Sequence, residues 1–433
     1  QVPVADCAVT LADYAGMAGE AMSMGERTPL AVLDAPASGR MAVAESITNL
    51  LAAPIDLPRV KLSANWMAAC GEPGEDANLY RTVQAVGMEL CPQLGISIPV
   101  GKDSLSMRTQ WQTPDGAAQK VVSPVSLIVS AFATVEDVRG TLTPQLDREQ
   151  AETHLLLVDL GRGKNRMAGS ILSQVLGQSG DAVPDLDDAQ DLVRLVHAVN
   201  ALRQQGQILA YHDRSDGGLL ACVAEMAFAG QVGVALNIDM LLMQAQGATD
   251  GRVDSGEAKN WEKQISGRRH IQMLNALFNE ELGVVLQVRS SERSAVMQVL
   301  REHNLGACSH FIGTVRSDAA SLDMGKGQLS VWCDAQQVFA ANLQELHQVW
   351  DSVSWKICQQ RDNPACADSE HASKGAPQDP GMHVHLTFTP DAVPDSAPAV
   401  HTTRPRVAIL REQGVNSHVE MAYAFDRAGF EAL

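Results

Sequence analysis

The sequence predicts a multidomain protein that combines α+β and α/β units. Three observations carry this expectation. The 433-residue length exceeds what one hydrophobic core ordinarily serves. Strand-like and helix-like stretches alternate through most of the chain. A stretch rich in Pro, Asp, Ser and Ala, from Gln359 to Thr403, then sets off a final strand–turn–helix unit. The expected divisions are 1–150, 151–346, a linker over 347–403, and the start of a further domain over 404–433.

In chain order, Val2 to Thr10 reads as a strand, Thr28 to Leu33 as an approach, and Gly39 to Ala53 as an amphipathic helix. A helix near Asp76 to Leu94 precedes the apolar strand Ile96 to Val100 and the polar turn Gly101-Lys102-Asp103-Ser104. Val121 to Val135 reads as one further buried strand. The second division opens with the apolar strand Leu155 to Leu160, the turn Gly161-Arg162-Gly163-Lys164 and a helix. A strand at Ile208 to Tyr211 runs into His212-Asp213-Arg214-Ser215-Asp216-Gly217-Gly218 and then a helix over Leu219 to Ala229, with Gly230 as its cap. Gly247 to Arg269 is polar and aperiodic, which predicts a mobile surface insertion. Within the linker, His383 to Phe388 is a short strand candidate, and its two histidines, lacking a third ligand, are assigned no function. The final unit has a strand at Arg406 to Leu410, a turn at Arg411 to Asn416, and a helix over Ser417 to Ala428 with Met421, Ala424, Phe425 and Ala428 on one face. Another apolar stretch from Phe430 to Leu433 makes this the opening of a doubly wound sheet.

The net charge of -18, with 51 acidic against 33 basic side chains and no basic cluster, would repel a phosphate backbone. Nucleic acid is therefore not an expected partner. No apolar run approaches the roughly 18 residues that cross a bilayer, so a membrane is not expected either and the expected location is cytoplasmic. The eight cysteines are scattered without a C-x-x-C pair or a zinc spacing, which predicts mostly buried, reduced thiols. The chain opens at Gln1 and stops just after the first helix of its last unit, so a piece of a longer polypeptide is expected.

Several places are candidates for chemistry. Glu45 and Asn49, four apart on one helix, present a carboxylate and an amide oxygen on adjacent turns, as a hard cation such as Mg²⁺ accepts; a plain solvated helix face is the competing reading. Asp6 stands in an otherwise apolar stretch, where it either has a partner or faces solvent from an edge strand. The loop from Asp213 to Gly218 places two carboxylates, a hydroxyl and two glycines between a strand and a helix N-terminus, a setting that approaches phosphates closely; Asp216 also suits a simple helix cap. Lys102, in its turn after a strand, offers one cation for a phosphate or is merely solvated. Gly161-Arg162-Gly163-Lys164 lacks the spacing of a P-loop and reads as an ordinary turn.

Together, Pro3-Val4-Ala5-Asp6-Cys7-Ala8-Val9-Thr10, Glu45-Ser46-Ile47-Thr48-Asn49, Gly101-Lys102-Asp103-Ser104, His212 to Gly218, Phe278-Asn279-Glu280-Glu281 and Arg411-Glu412-Gln413-Gly414-Val415-Asn416 resemble the large, single-chain phosphoribosylformylglycinamidine synthases along nearly the whole chain. The resemblance implies the second of two tandem repeats of an aminoimidazole ribonucleotide synthetase-like unit, with a ferredoxin-like α+β half over 1–150 and a larger α/β half over 151–346. The start of a flavodoxin-like class I glutaminase domain follows. It implies a ligase that joins formylglycinamide ribonucleotide, ATP and glutamine-derived ammonia through an iminophosphate, in de novo purine biosynthesis. By motif it implies Mg²⁺ ligands at Asp6, Glu45, Asn49 and Asp213 and contacts to ATP or ADP at Ala5 and Ser215. Lys102 is an additional expected phosphate contact outside the resemblance. No cysteine lies in a strand-to-helix nucleophile turn, so no glutaminase residue and no catalytic residue is assigned, and full activity is expected to need missing parts of the same polypeptide. Two other readings compete: a free-standing kinase-like relative acting on another small substrate, against which the glutaminase-like start at Arg406 speaks, and a structural module in which the nucleotide braces the fold.

Overall fold

The computed structural model describes residues 4–150, 152–180, 182–246, 261–316, 327–376, 383–389 and 403–433. The chain divides into two compact units, Gln1–Gln378 and Asp379–Leu433.

The first unit opens with a five-stranded sheet. Its strands are β1 (Ala8–Leu11), β2 (Gly19–Glu26), β3 (Lys61–Met67), β4 (Ser97–Ser104) and, after a separate hairpin of β5 (Arg108–Gln112) and β6 (Ala118–Val122), β7 (Ser126–Val135). The order is β1-β2-β7-β3-β4, antiparallel except for the parallel β3/β4 pair. Strand β2 alternates strictly between buried and exposed, the period-2 signature of a sheet with one covered face. Its inward residues, Gly19, Ala21, Ser23 and Gly25, are all small. That lets the helix Ala35–Leu50 lie almost on the strand, where Ser23 Oγ donates to the Ser46 carbonyl at 2.6 Å. A methyl group on Gly25 would fall within contact distance of the Ala42 carbonyl and the Ser46 nitrogen, both helix backbone that cannot swing away. Gly25→Ala is therefore expected to cost about 1–3 kcal/mol through overpacking, readable as a lower urea midpoint with an unchanged slope.

The helix begins at Ala35 rather than Gly39. Asp34 caps it by accepting from Ala37 N at 3.0 Å, and a proline occupies its first turn. It is buried nearly all round, because its other side meets the second half: Tyr211 Oη donates to the Thr48 carbonyl at 2.6 Å, and Arg203 caps the helix end at the Leu51 and Ala52 carbonyls.

The second half is a seven-stranded mixed sheet made from β8 (Thr153–Asp159), β9 (Ala210–Asp213), β10 (Val234–Asn237), β11 (Gly283–Arg289), β12 (Ser309–Val315), β13 (Gln328–Cys333) and β14 (Gln336–Asn342). Its order is β14-β13-β10-β12-β8-β11-β9. The sheet separates two cores. Leu156 and Val158 of β8, with Val284, Leu286 and Val288 of β11, join the core shared with the first half, while Leu155, Leu157 and Val285 face the other. Strands covered on both faces read as continuous apolar runs, which is how Leu155 to Leu160 was legible.

Several expectations need correction. β4 runs through Gly101-Lys102-Asp103-Ser104, so that segment is strand and not a turn. The run Val121 to Val135 holds the end of one strand and the whole of another. The helix predicted to Leu94 is Glu75–Val83 followed by a π-helical stretch, Gln84–Leu90, and a short turn, Cys91–Leu94. The predicted insertion over 247–269 is helix from Trp261, in Trp261–Phe278, and its part over 247–260 lies outside the described residues. The predicted linker holds the end of Leu343–Arg361 and all of Pro364–Lys374, two helices joined where Trp355 stacks on His371 at 4.3 Å. No strand forms over 383–388. All eight cysteines are free, four of them buried and Cys366 exposed. No described helix is long and apolar enough to cross a membrane.

In the second unit, β15 (Arg406–Val407) and β16 (Glu431–Ala432) pair in parallel, connected through the helix His418–Arg427. Phe425 and Phe430 meet edge-on at 5.5 Å across that turn. A parallel pair crossed by a helix is the elementary unit of a doubly wound sheet.

Candidate functional site

Strand β9 delivers His212 and Asp213 at its end, and both are buried. Beside them lies Asp6, just ahead of β1 rather than within a strand; its side chain is 0% exposed. Asp6 Oδ1 meets His212 Nδ1 at 2.8 Å and accepts from Asp213 N at 3.0 Å. The other oxygens, Asp6 Oδ2 and Asp213 Oδ2, are buried without a hydrogen-bond partner. Ligand atoms of Asp6, His212 and Asp213 all lie within 4.8 Å of one another. Burial, and then the Asp6 charge, push the Asp213 carboxyl well above the usual range. Burial alone would lower the His212 pKa, but Asp6 and Glu225 outweigh it and raise it well above the usual value.

Glu45 is buried too, at 8% exposure, so the solvated-face reading of its helix does not hold. Its Oε2 accepts from Glu26 N at 2.7 Å and its Oε1 lies 3.8 Å from Arg27 Nη1. Burial pushes its carboxyl up to about 7, against the opposing pull of Arg27. It stands outside the Asp6–His212–Asp213 group yet close enough for its charge to raise the Asp213 carboxyl further. Asn49, half-buried one turn on, donates from Nδ2 to the Met24 carbonyl at 3.0 Å.

The loop after β9 is held from below. Arg214 bonds Asp159 at 2.6 Å and the Glu281 carbonyl at 2.7 Å. Glu280 accepts from Gly217 N at 2.9 Å and Ile171 N at 2.8 Å while pairing with Arg27 at 2.9 Å. Gly217 and Gly218 both have positive φ, and a side chain on Gly218 would strike the Phe278 and Asn279 backbone; only glycine fits this turn. The helix cap is Gly217, without a side-chain bond, so Asp216 does not cap; it is 61% exposed, 3.9 Å from Arg27. Ser215 is half-buried in the same loop, and Ala5 is exposed next to Asp6.

Lys102 is not brought here. It sits exposed on β4, the edge opposite β1, with three strands between, and donates to Ser104 Oγ at 2.7 Å. The Gly161 turn is structural, its amides capped by Asp159. Sequence reasoning gave no role to Arg27, Glu225 or Glu280. His212 and Glu280 stood in quoted strings, whereas Arg27 and Glu225 carried no local signal.

Among the described residues, Arg27 pairs with Glu280 and lies near Glu45, and His212 lies between Asp6 and Glu225, while Asp213 has Asp6 as a like-charged neighbour. Hard oxygen donors, buried with unpartnered lone pairs, fit a divalent cation such as Mg²⁺.

Residues 1–134 match the FGAR-AT PurM_N-like domain, 155–322 the AIR synthase related protein C-terminal domain, and 404–433 the CobB/CobQ-like glutamine amidotransferase domain. Among solved structures, the chain resembles Thermotoga maritima PurL complexed with ADP, at 13% identity and a TM-score of 0.53, over 99% of this chain and 54% of that one. It also resembles T. maritima PurL complexed with FGAR, at 14% identity and a TM-score of 0.53, over 80% and 49%. T. maritima phosphoribosylformylglycinamidine synthase II aligns over 100% and 54%, at 13% identity and a TM-score of 0.51. The chain thus spans about half the length of these three structures. Its fold is that of the PurM-like, AIR synthase-related proteins, followed by the start of a glutaminase-like domain. The N-terminal match carries the FGAR-AT description for residues 1–134 alone, and the likeness to the solved structures is one of fold.

Proposed function

We propose that this chain is the nucleotide-holding part of a FGAR amidotransferase. The whole enzyme would use ATP and glutamine-derived ammonia to convert formylglycinamide ribonucleotide to the amidine through an iminophosphate. The observation that carries the reading is the pair of buried, unpartnered oxygens, Asp6 Oδ2 and Asp213 Oδ2. Asp6, Glu45, Asn49 and Asp213 would hold Mg²⁺, with Ala5 and Ser215 against an ATP or ADP. The cation would supply neutralisation of phosphate charge. The chain's own residues do the rest: Glu280 and Arg27 fix the loop, and the two glycines let its backbone approach the phosphates. Lys102 would meet a phosphate only apart from this group.

A second reading, that the nucleotide braces the fold without reacting, draws support from the burial of Asp6, His212 and Asp213. Calorimetry of ADP and ATP binding with and without Mg²⁺, with a count of copurifying nucleotide and of product formed, tests both. Mg²⁺-dependent binding is expected. Binding without hydrolysis favours the bracing role, turnover favours the reacting one, and Mg²⁺-independent or absent binding would overturn the assignment of these ligands.

A further inference from the structure

A chain of hydrogen bonds leads out of the Asp6 group to a helix more than a hundred residues further along. Trp350 Nε1 donates to Glu225 Oε1 at 2.8 Å. The second oxygen of that carboxylate, Glu225 Oε2, meets His212 Nε2 at 3.0 Å, and His212 Nδ1 meets Asp6 Oδ1 at 2.8 Å. Trp350 lies on Leu343–Arg361, beyond the residues 155–322 that match the AIR synthase C-terminal domain. Glu225 lies on Gly218–Gly230, the helix that follows the glycine turn.

Each link constrains the next. An indole N–H can only donate, so it occupies one oxygen of Glu225 and leaves the other for the imidazole. With a carboxylate at each ring nitrogen, His212 has its ring orientation fixed from both sides. Asp6 Oδ1 then receives His212 and Asp213 N together, which leaves Oδ2 as the oxygen without a partner. The indole is itself oriented, although Trp350 is 47% exposed: Phe228 meets it edge-on at 6.3 Å, and His347, stacked on Phe228 at 4.7 Å, lies 5.9 Å away. Outer partners that orient a metal-binding side chain commonly change metal affinity by about 10- to 100-fold.

We infer that Glu225 and Trp350 are positioning residues for the cation site, setting His212 and through it Asp6, so that the helix Leu343–Arg361 is a working part of that site. The inference rests on the proposed role of Asp6 and Asp213 as cation ligands.

The test uses the full chain saturated with ADP and titrated with MgCl₂ by calorimetry, with unfolding midpoints measured in EDTA. Trp350→Phe keeps the ring packing and removes only the donor. It is expected to raise the Mg²⁺ Kd a few-fold at an unchanged EDTA midpoint. Glu225→Ala is expected to raise the Kd about tenfold, with Glu225→Gln recovering part of the loss. Parent-like Mg²⁺ affinity in both Trp350→Phe and Glu225→Ala, with Asp213→Asn still weakened, would overturn the relay alone. Weakening that merely tracks a fall in the EDTA midpoint would reduce these residues to structural support and overturn it as well. A parent that binds ADP no better with Mg²⁺ than Asp213→Asn does would remove the functional reading and this inference together.

Discussion

Arg27→Ala is expected to lower the stability of the chain by about 3–5 kcal/mol, the range for removing one partner of a buried ion pair. The Arg27 side chain is 3% exposed and stands 2.9 Å from Glu280, 3.8 Å from Glu45 and 3.9 Å from Asp216. Its Nη2 also donates to the Glu280 carbonyl at 3.2 Å, and its own carbonyl accepts from Ser38 Oγ at 2.7 Å, at the start of the helix that carries Glu45. Alanine would leave two buried carboxylates without their cation, in a part of the molecule already short of positive charge. Most of the cost is charge left uncompensated, with a smaller part from lost packing. The double variant Arg27→Ala/Glu280→Gln should therefore recover a good part of the loss in a urea unfolding series. A double variant no more stable than Arg27→Ala would show that packing dominates, and a single variant within about 0.5 kcal/mol of the parent, the range of ordinary surface changes, would refute the account.

How much of this was legible in the sequence depends on whether the signal was local. The β8 run and the His212–Gly218 loop were readable because a strand buried on both faces and a strand-to-helix turn are written in consecutive residues. Asp6, Glu45, Asn49 and Asp213 stand out by residue type, but their role as ligands comes from the resemblance in motif; residue type alone favours a solvated face for Glu45 and Asn49. Their burial comes from residues far away, since the helix carrying Glu45 is closed off by Tyr211 and Arg203. Arg27 was missed for the same reason: what makes it consequential is Glu280, which follows it by 253 residues. Lys102 shows the opposite error. Gly101-Lys102-Asp103-Ser104 has turn-forming composition, yet parallel pairing with Asn65 and its neighbours on β3 keeps it extended, an instance of sheet pairing overriding local preference. The helices Leu343–Arg361 and Pro364–Lys374 were read in part as linker because the contacts that hold them together are polar and aromatic, such as Trp355 Nε1 to Asp368 at 2.9 Å, rather than an apolar stripe.

Asp213→Asn is expected to be more stable than the parent when metal-free and less stable than the parent when loaded with Mg²⁺ and ADP. Without a cation, Asp213 is a buried carboxylate with one unpartnered oxygen beside the Asp6 carboxylate, and its pKa is raised by burial first and by Asp6 second. An acid whose folded pKa lies above its unfolded one contributes no penalty below the unfolded value and destabilises increasingly as pH rises from there to the folded value. At neutral pH the unfolded chain has given up this proton freely, whereas the folded chain either keeps it or bears a buried charge. Asparagine has no proton to lose, so the variant in EDTA at neutral pH should exceed the parent, by about 1.4 kcal/mol for each pKa unit by which the folded carboxyl is raised. With Mg²⁺ and ADP the sign inverts. A neutral carbonyl is a poorer ligand for a hard cation than a carboxylate, and each tenfold loss of affinity removes about 1.4 kcal/mol of ligand-linked stabilisation. Thermal unfolding of both proteins in EDTA and in saturating Mg-ADP should therefore show the two orders crossed. If the variant is less stable in EDTA, Asp213 is compensated in the folded chain and carries no such penalty. If it keeps the full stabilisation by Mg-ADP, the carboxylate contributes nothing to holding the cation, and the ligands must be sought among Asp6, Glu45 and Asn49 alone.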